Sequence, residues 1–128
     1  MSVAAVIGRL RSPHQVIARK PDRGFELGPR VVLFLHWDRG GRVREALFDY
    51  IAQLAASGRS VVFLTNAGEL DPSAEARLLD LCAGILVRRN IGYDFGGWRD
   101  AIETLDLPRA GTEEIIIAND SIFGPIRP

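Results

Sequence analysis

Four short apolar runs leave this chain few architectures to choose from. RVVLFLHW (30–37), SVVFLTN (60–66), GILVRR (84–89) and EEIIIAND (113–120) each hold consecutive, largely β-branched apolar residues. A strand with one face in water alternates apolar and polar residues, so a continuous run marks a strand covered on both faces. Between the runs the spacing turns helical. Residues 42–57 place Val43, Ala46, Leu47, Tyr50, Ile51 and Leu54 on one side, with Gly58 positioned to end the helix. LDPSAEARLLDLC offers Asp71 as an N-cap and Pro72 as the first helical residue, and 96–105 reads as a third helix. The order β-α-β-α-β-α-β predicts an α/β fold of three layers, a mostly parallel sheet with helices on both faces and right-handed crossovers.

The remaining sequence adds boundaries. Residues 1–29 scatter Pro13, Pro21 and Pro29 among basic residues and read as an irregular arm or edge element, leaving 30–128 as the α/β domain. At 128 residues and 47% apolar composition the chain is one domain with a proper core. Its formal net charge is zero, which argues against bulk electrostatic binding to nucleic acid or to an anionic membrane. RRNIGYDFGGW supplies basic and aromatic residues but matches no RNA-binding module. The lone Cys82 sits in LLDLCAGILV as a small core residue; no internal disulfide or zinc spacing is available, which fits a reducing compartment. No run approaches the roughly 20 apolar residues of a transmembrane helix.

Every strand run ends in polar or special residues. The first runs into His36, Trp37 and Asp38, and the second into Thr65 and Asn66. The third runs into Arg88, Arg89 and Asn90, and the fourth into Asn119, Asp120 and Ser121. Open α/β sheets bind ligands outside the carboxyl ends of their strands. The competing reading is structural: polar loops and helix caps, which Asp38 or Asp94 could supply, a packed His36, a Trp98 buried in the core and a solvated Asp100. No G-x-G-x-x-G, P-loop or G-x-S-x-G motif is present. The cluster Asn119, Asp120, Ser121 offers oxygen ligands suited to Mg²⁺ or Mn²⁺, which could bridge a diphosphate; equally, it could be a turn.

VVLFLHWDRGGRV, VVFLTNAGELD, VRRNIGYDFGGWRDAI and IIIANDSIFGP together resemble the rhamnan synthesis protein F family. Its specific parts are N-x-G-Y-D-F-G-x-W and N-D-S-x-F-G-P. These proteins are glycosyltransferase-like and are associated with bacterial rhamnose-containing polysaccharides. The layout is also similar to the nucleotide-binding half of GT-A glycosyltransferases, a Rossmann-like arrangement whose fourth strand carries a metal-binding D-x-D. Here that position reads N-D-S, so Asp120 is the single carboxylate for a metal. Arg39, Arg42, Arg89 and Arg99 are the alternative partners for a diphosphate.

The resemblance implies a donor domain for a nucleotide-activated sugar, with dTDP-rhamnose as donor and a glycan or lipid-linked glycan as acceptor. With no disulfide, signal-peptide or spanning pattern the chain reads as a cytoplasmic domain, with peripheral attachment at the inner face of the membrane as a further expectation. The expected ligand-binding residues are His36, Asp38, Asn66, Arg89, Asn90, Gly92, Tyr93, Asp94, Trp98, Asn119 and Ser121, with Asp120 for metal. Gly96 and Gly97 would open a helix whose free N–H groups favour an anion. The catalytic base and acceptor site of such enzymes lie beyond the fourth strand, and the chain ends at Pro128, so it reads as a truncated donor half. The alternative is a non-catalytic nucleotide-sugar-binding or assembly module that associates with a missing C-terminal half or another subunit.

Overall fold

The computed structural model describes residues 16–38, 40–88 and 94–119, with side chains in the last segment from Gly96 onward. In chain order the elements are β1 (Val16–Lys20), β2 (Arg30–His36), α1 (Glu45–Ala56), β3 (Ser60–Thr65), α2 (Pro72–Leu81), β4 (Gly84–Arg88), α3 (Asp94–Thr104) and β5 (Glu114–Asn119). The four apolar runs are four strands, each ending within a residue or two of the place the pattern indicates. They pair in parallel, and the whole sheet has the order β1-β4-β3-β2-β5.

The sheet is mixed rather than parallel throughout. The stretch expected as an arm or edge element contributes β1, which pairs antiparallel with β4 and carries a register shift between Val16 and Ala18. The same segment sends Phe25 into the core, where it is 3% exposed. Gly84 makes room for it, because a Cβ there would lie 2.4 Å from Phe25 Cζ. Burial of this aromatic and a full ladder with β4 explain why a proline-spotted segment orders on the sheet.

Strand alternation divides the core in two. Val32, Phe34, Val61, Phe63, Ile85 and Val87 pack with Leu47, Phe48 and Ile51 of α1 and Ala74 and Leu78 of α2. Val31, Leu33, Leu35, Val62, Leu64 and Leu86 pack with Trp98 and Ala101 of α3, with Leu105 just after it, and with Phe25. The strands are therefore apolar on both faces because both faces are covered.

Local chemistry sets the helix ends. Gly58, at φ +86°, donates its N–H to the Ala55 carbonyl and closes α1 in the left-handed conformation a side chain resists. The Asp71 carboxylate accepts the Ala74 N–H at 3.2 Å, and Pro72 occupies the first turn of α2. Helix α1 starts at Glu45 rather than 42, because Asp38 folds the preceding residues into a turn. One carboxylate oxygen, Oδ2, accepts the N–H groups of Gly40 and Arg42, both at 2.9 Å.

Candidate functional site

Five polar or charged residues are buried among the described residues: His36, Thr65, Arg88, Asp100 and Asn119. Four of them are the last residues of β2, β3, β4 and β5. The register sets these ends level, pairing His36 with Thr65, Thr65 with Val87 and Leu35 with Asn119. A buried polar group costs free energy unless it is hydrogen-bonded, so a layer of them at one end of a sheet is organised rather than incidental.

His36, 1% exposed, lies with Nδ1 2.9 Å from Thr65 Oγ1 and Nε2 2.9 Å from the Arg42 carbonyl. A carbonyl only accepts, so Nε2 carries a proton, and in the neutral ring Nδ1 accepts from the Thr65 hydroxyl. Thr65 Oγ1 in turn accepts the Ala67 N–H at 3.1 Å. His36 thus ties the loop after β2 to the end of β3. Glycine completes that tie: Gly41, at φ +74°, would place a Cβ 2.0 Å from the Glu69 carbonyl oxygen, and its own carbonyl accepts the Asp71 N–H at 3.0 Å. An open cleft of about 450 Å³ lies between these loops, lined by Arg42, Glu69 and Asp71 among others. Asp38, at the rim, has its carboxyl held below the ordinary range, chiefly by the Arg42 N–H.

The second cluster joins β3, β4 and α3. Arg88 donates from Nε (3.2 Å) and Nη2 (3.0 Å) to Asp100 Oδ2, and from Nη1 to Asn66 Oδ1 at 2.8 Å. Arg99 Nη2 donates to Asp100 Oδ1 at 3.1 Å, while its Nε is buried without a hydrogen-bond partner among the described residues. The side chains of Arg88 and Asp100 are 1% and 0% exposed. The expectation that Asp100 is a solvated helix residue is therefore overturned. Gly96 and Gly97 matter here as space: a Cβ on either would lie 3.5 Å from the Arg88 guanidinium, and one on Gly97 would also meet Leu35 Cδ1 at 3.0 Å.

The expected site residues divide accordingly. His36, Asn66 and Asn119 lie at the carboxyl edge, but His36 and Asn66 spend their side chains on architecture. Trp98 is a core residue, 9% exposed, whose indole N–H donates to the Ala118 carbonyl at 3.2 Å. Asp38 and Arg42 reach the surface; the Arg42 side chain is 84% exposed, with Nε 3.8 Å from Asp38 Oδ2. Arg99 is tied to Asp100. Asp94 opens α3. Arg39, Arg89, Asn90, Gly92, Tyr93, Asp120 and Ser121 lie outside the described residues. No three His, Cys, Asp or Glu side chains cluster as a metal site among the described residues. None of the helices described is long and apolar enough to cross a membrane.

Residues 61–128, just over half of the chain, match the family model for rhamnan synthesis protein F. The chain belongs to the rhamnan synthesis protein F family. A relative from Sinorhizobium fredii (strain NBRC 101917 / NGR234), "Uncharacterized protein y4gN", is 36% identical over 96 residues, which cover 75% of this chain and 24% of that protein. The chain thus spans about a quarter of the length of that relative. No solved structure matches it. The family match takes in β3, β4, α3 and β5, and with them Asn66, Arg88, Asp100 and Asn119.

Proposed function

We propose that this chain is the donor-binding part of a glycosyltransferase acting in rhamnan or related bacterial cell-surface polysaccharide synthesis. The observation that carries the reading is the polar layer: each parallel strand ends in a buried polar residue at the edge where open α/β sheets take their ligands. On this reading β4-β3-β2-β5 and its helices form the nucleotide-binding half of a GT-A-type, three-layer fold. The ligand is a nucleotide-activated sugar, with dTDP-rhamnose the donor the family name favours. The reaction is displacement at the anomeric carbon, with the nucleoside diphosphate leaving.

Chemical roles follow from position. The first turn of α3 offers its N–H end to the diphosphate, and the buried Arg88–Asp100–Arg99 cluster fixes that helix to the sheet. Arg89, Asn90, Gly92, Tyr93 and Asp94, between β4 and α3 in the sequence, are candidates for contacts to it, and Asp38 and Ser121 for contacts to hydroxyls. A divalent ion, if bound, would take Asp120 as its carboxylate ligand. The second reading, an assembly module, draws on β5: among the described residues it is an edge strand with Ile117 43% exposed, and an open edge invites pairing with another strand.

Thermal-shift titration with dTDP-rhamnose, with and without Mn²⁺, tests the donor site. At a hundredfold excess over Kd a ligand stabilises the fold by about 2.7 kcal/mol. Stabilisation by the nucleotide-sugar is the expected result, and loss of its Mn²⁺-dependent part in Asp120→Ala would assign the metal. No shift with any nucleotide-sugar refutes the donor-site reading and leaves the assembly module.

A further inference from the structure

Among the described residues, Trp37 is the aromatic side chain that the core does not use. Phe25, Phe34, Phe48, Phe63 and Trp98 are buried, whereas Trp37 is 47% exposed. Scattered exposed apolar residues are ordinary, but an indole's large apolar area makes this one costly to leave in water. Its place in the fold gives it meaning. Trp37 directly follows β2, the strand at which the sheet order reverses: β3 and β4 extend to one side of β2, and β5 to the other. The crevice at such a switch point is where open α/β sheets bind ligands.

The backbone on either side of Trp37 is held. His36 is tied to Thr65 and to the Arg42 carbonyl, its own carbonyl accepts the Asn66 N–H at 3.0 Å, and Asp38 is locked in its turn. Leu35, two residues back, lies against the Gly97 position in the first turn of α3. At the rise of an extended chain, Trp37 is attached roughly 7 Å further out along the same strand. An exposed indole therefore stands on a held backbone at the carboxyl edge, just beyond the strand whose Leu35 meets the first turn of α3. That placement suits a ligand with a flat, weakly polar face.

We propose that Trp37 is the stacking platform of the site, taking against its ring the flat face of the bound ligand. That face is the nucleobase or the CH face of a pyranose. The inference rests on the donor-site reading and adds to it the residue that supplies stacking. Intrinsic fluorescence can follow it, because the second tryptophan, Trp98, is buried. The wild-type chain is titrated with dTDP, with free rhamnose and with dTDP-rhamnose, following fluorescence and binding heat. A response to dTDP alone assigns the nucleobase to Trp37; a response to dTDP-rhamnose or rhamnose but not to dTDP assigns the sugar. Base–aromatic stacking strength predicts that Trp37→Leu weakens binding roughly 5- to 100-fold, with most of the affinity kept in Trp37→Phe. Both variants retain an apolar side chain, and circular dichroism confirms their fold. Wild-type binding that Trp37→Leu leaves within about twofold overturns this inference alone. Absence of wild-type binding removes it together with the donor site.

Discussion

Replacing Asp100 by alanine removes the counter-charge of a guanidinium that water barely reaches. Arg88 is 1% exposed and directs two of its nitrogens at Asp100 Oδ2, at 3.0 and 3.2 Å. Breaking a buried pair from one side typically costs 3–5 kcal/mol, because the remaining charge stays desolvated. A domain of this size has about 5–15 kcal/mol of total stability, so the loss is roughly a fifth of it or more. In melting temperature it corresponds to a drop on the order of 10–20 °C. Removal from the other side should hurt less. In Arg88→Met the Asp100 carboxylate keeps Arg99 Nη2 at 3.1 Å, so a cost of about 2–3 kcal/mol is expected. The double variant Arg88→Met/Asp100→Leu should be more stable than the sum of its parts, since no buried Arg88 charge is left behind and the remaining cost is that of Arg99 losing Asp100 Oδ1. Urea unfolding followed by circular dichroism measures all three, with the m-value checking that the transition remains comparable. An Asp100→Ala cost below about 1 kcal/mol, or strict additivity in the cycle, would refute the keystone role of this pair.

Two further outcomes are expected. Gly41→Ala should destabilise the chain by about 2–4 kcal/mol, because a Cβ at φ +74° would lie 2.0 Å from a backbone oxygen that no rotamer can move; chemical denaturation measures it. The Cys82 thiol, raised by burial to about 12 from 9.0, should resist thiol reagents at mildly alkaline pH until the chain is unfolded, and rapid labelling of the folded protein would contradict this. Its linkage has a definite sign: above pH 9.0 the unfolded chain loses the thiol proton that the folded chain keeps, so stability falls from there towards pH 12.

What the sequence reveals here depends on whether the cause is local. The four parallel strands were legible because both-face burial forces continuous apolar runs, and the caps at Gly58 and Asp71 because each acts within its own turn. β1 was visible only as a candidate edge element, since its antiparallel pairing with β4 depends on residues more than sixty positions away. Asp100 was misread for the same reason. A carboxylate between Arg99 and Ala101 looks solvated until Arg88, twelve residues earlier, arrives beneath it. A signal did exist: Gly97, Asp100 and Thr104 follow helical spacing beside the buried Ala101 and Leu105, which puts Asp100 at the inner side of α3. Gly84 shows the limit again, because nothing near it announces the Phe25 ring that occupies its missing side chain.

The polar layer also changes which groups can meet a ligand. His36 has both ring nitrogens bonded, Asn66 Oδ1 accepts from Arg88, and Trp98 spends its N–H on Ala118. A ligand that recruited any of these would have to break a buried bond, and an orphaned partner costs about 1–3 kcal/mol. These residues therefore act by fixing backbone: His36 holds the 36–42 loop to β3, and Arg88 holds β4 to β3 and α3. Among the described residues, the groups left for recognition are those the layer presents outward, namely Trp37, the Asp38 turn, the Arg42 guanidinium and the first turn of α3. Substitutions at the layer should thus appear first as lost stability, and substitutions at Trp37 or Arg42 as lost affinity in a chain that still folds.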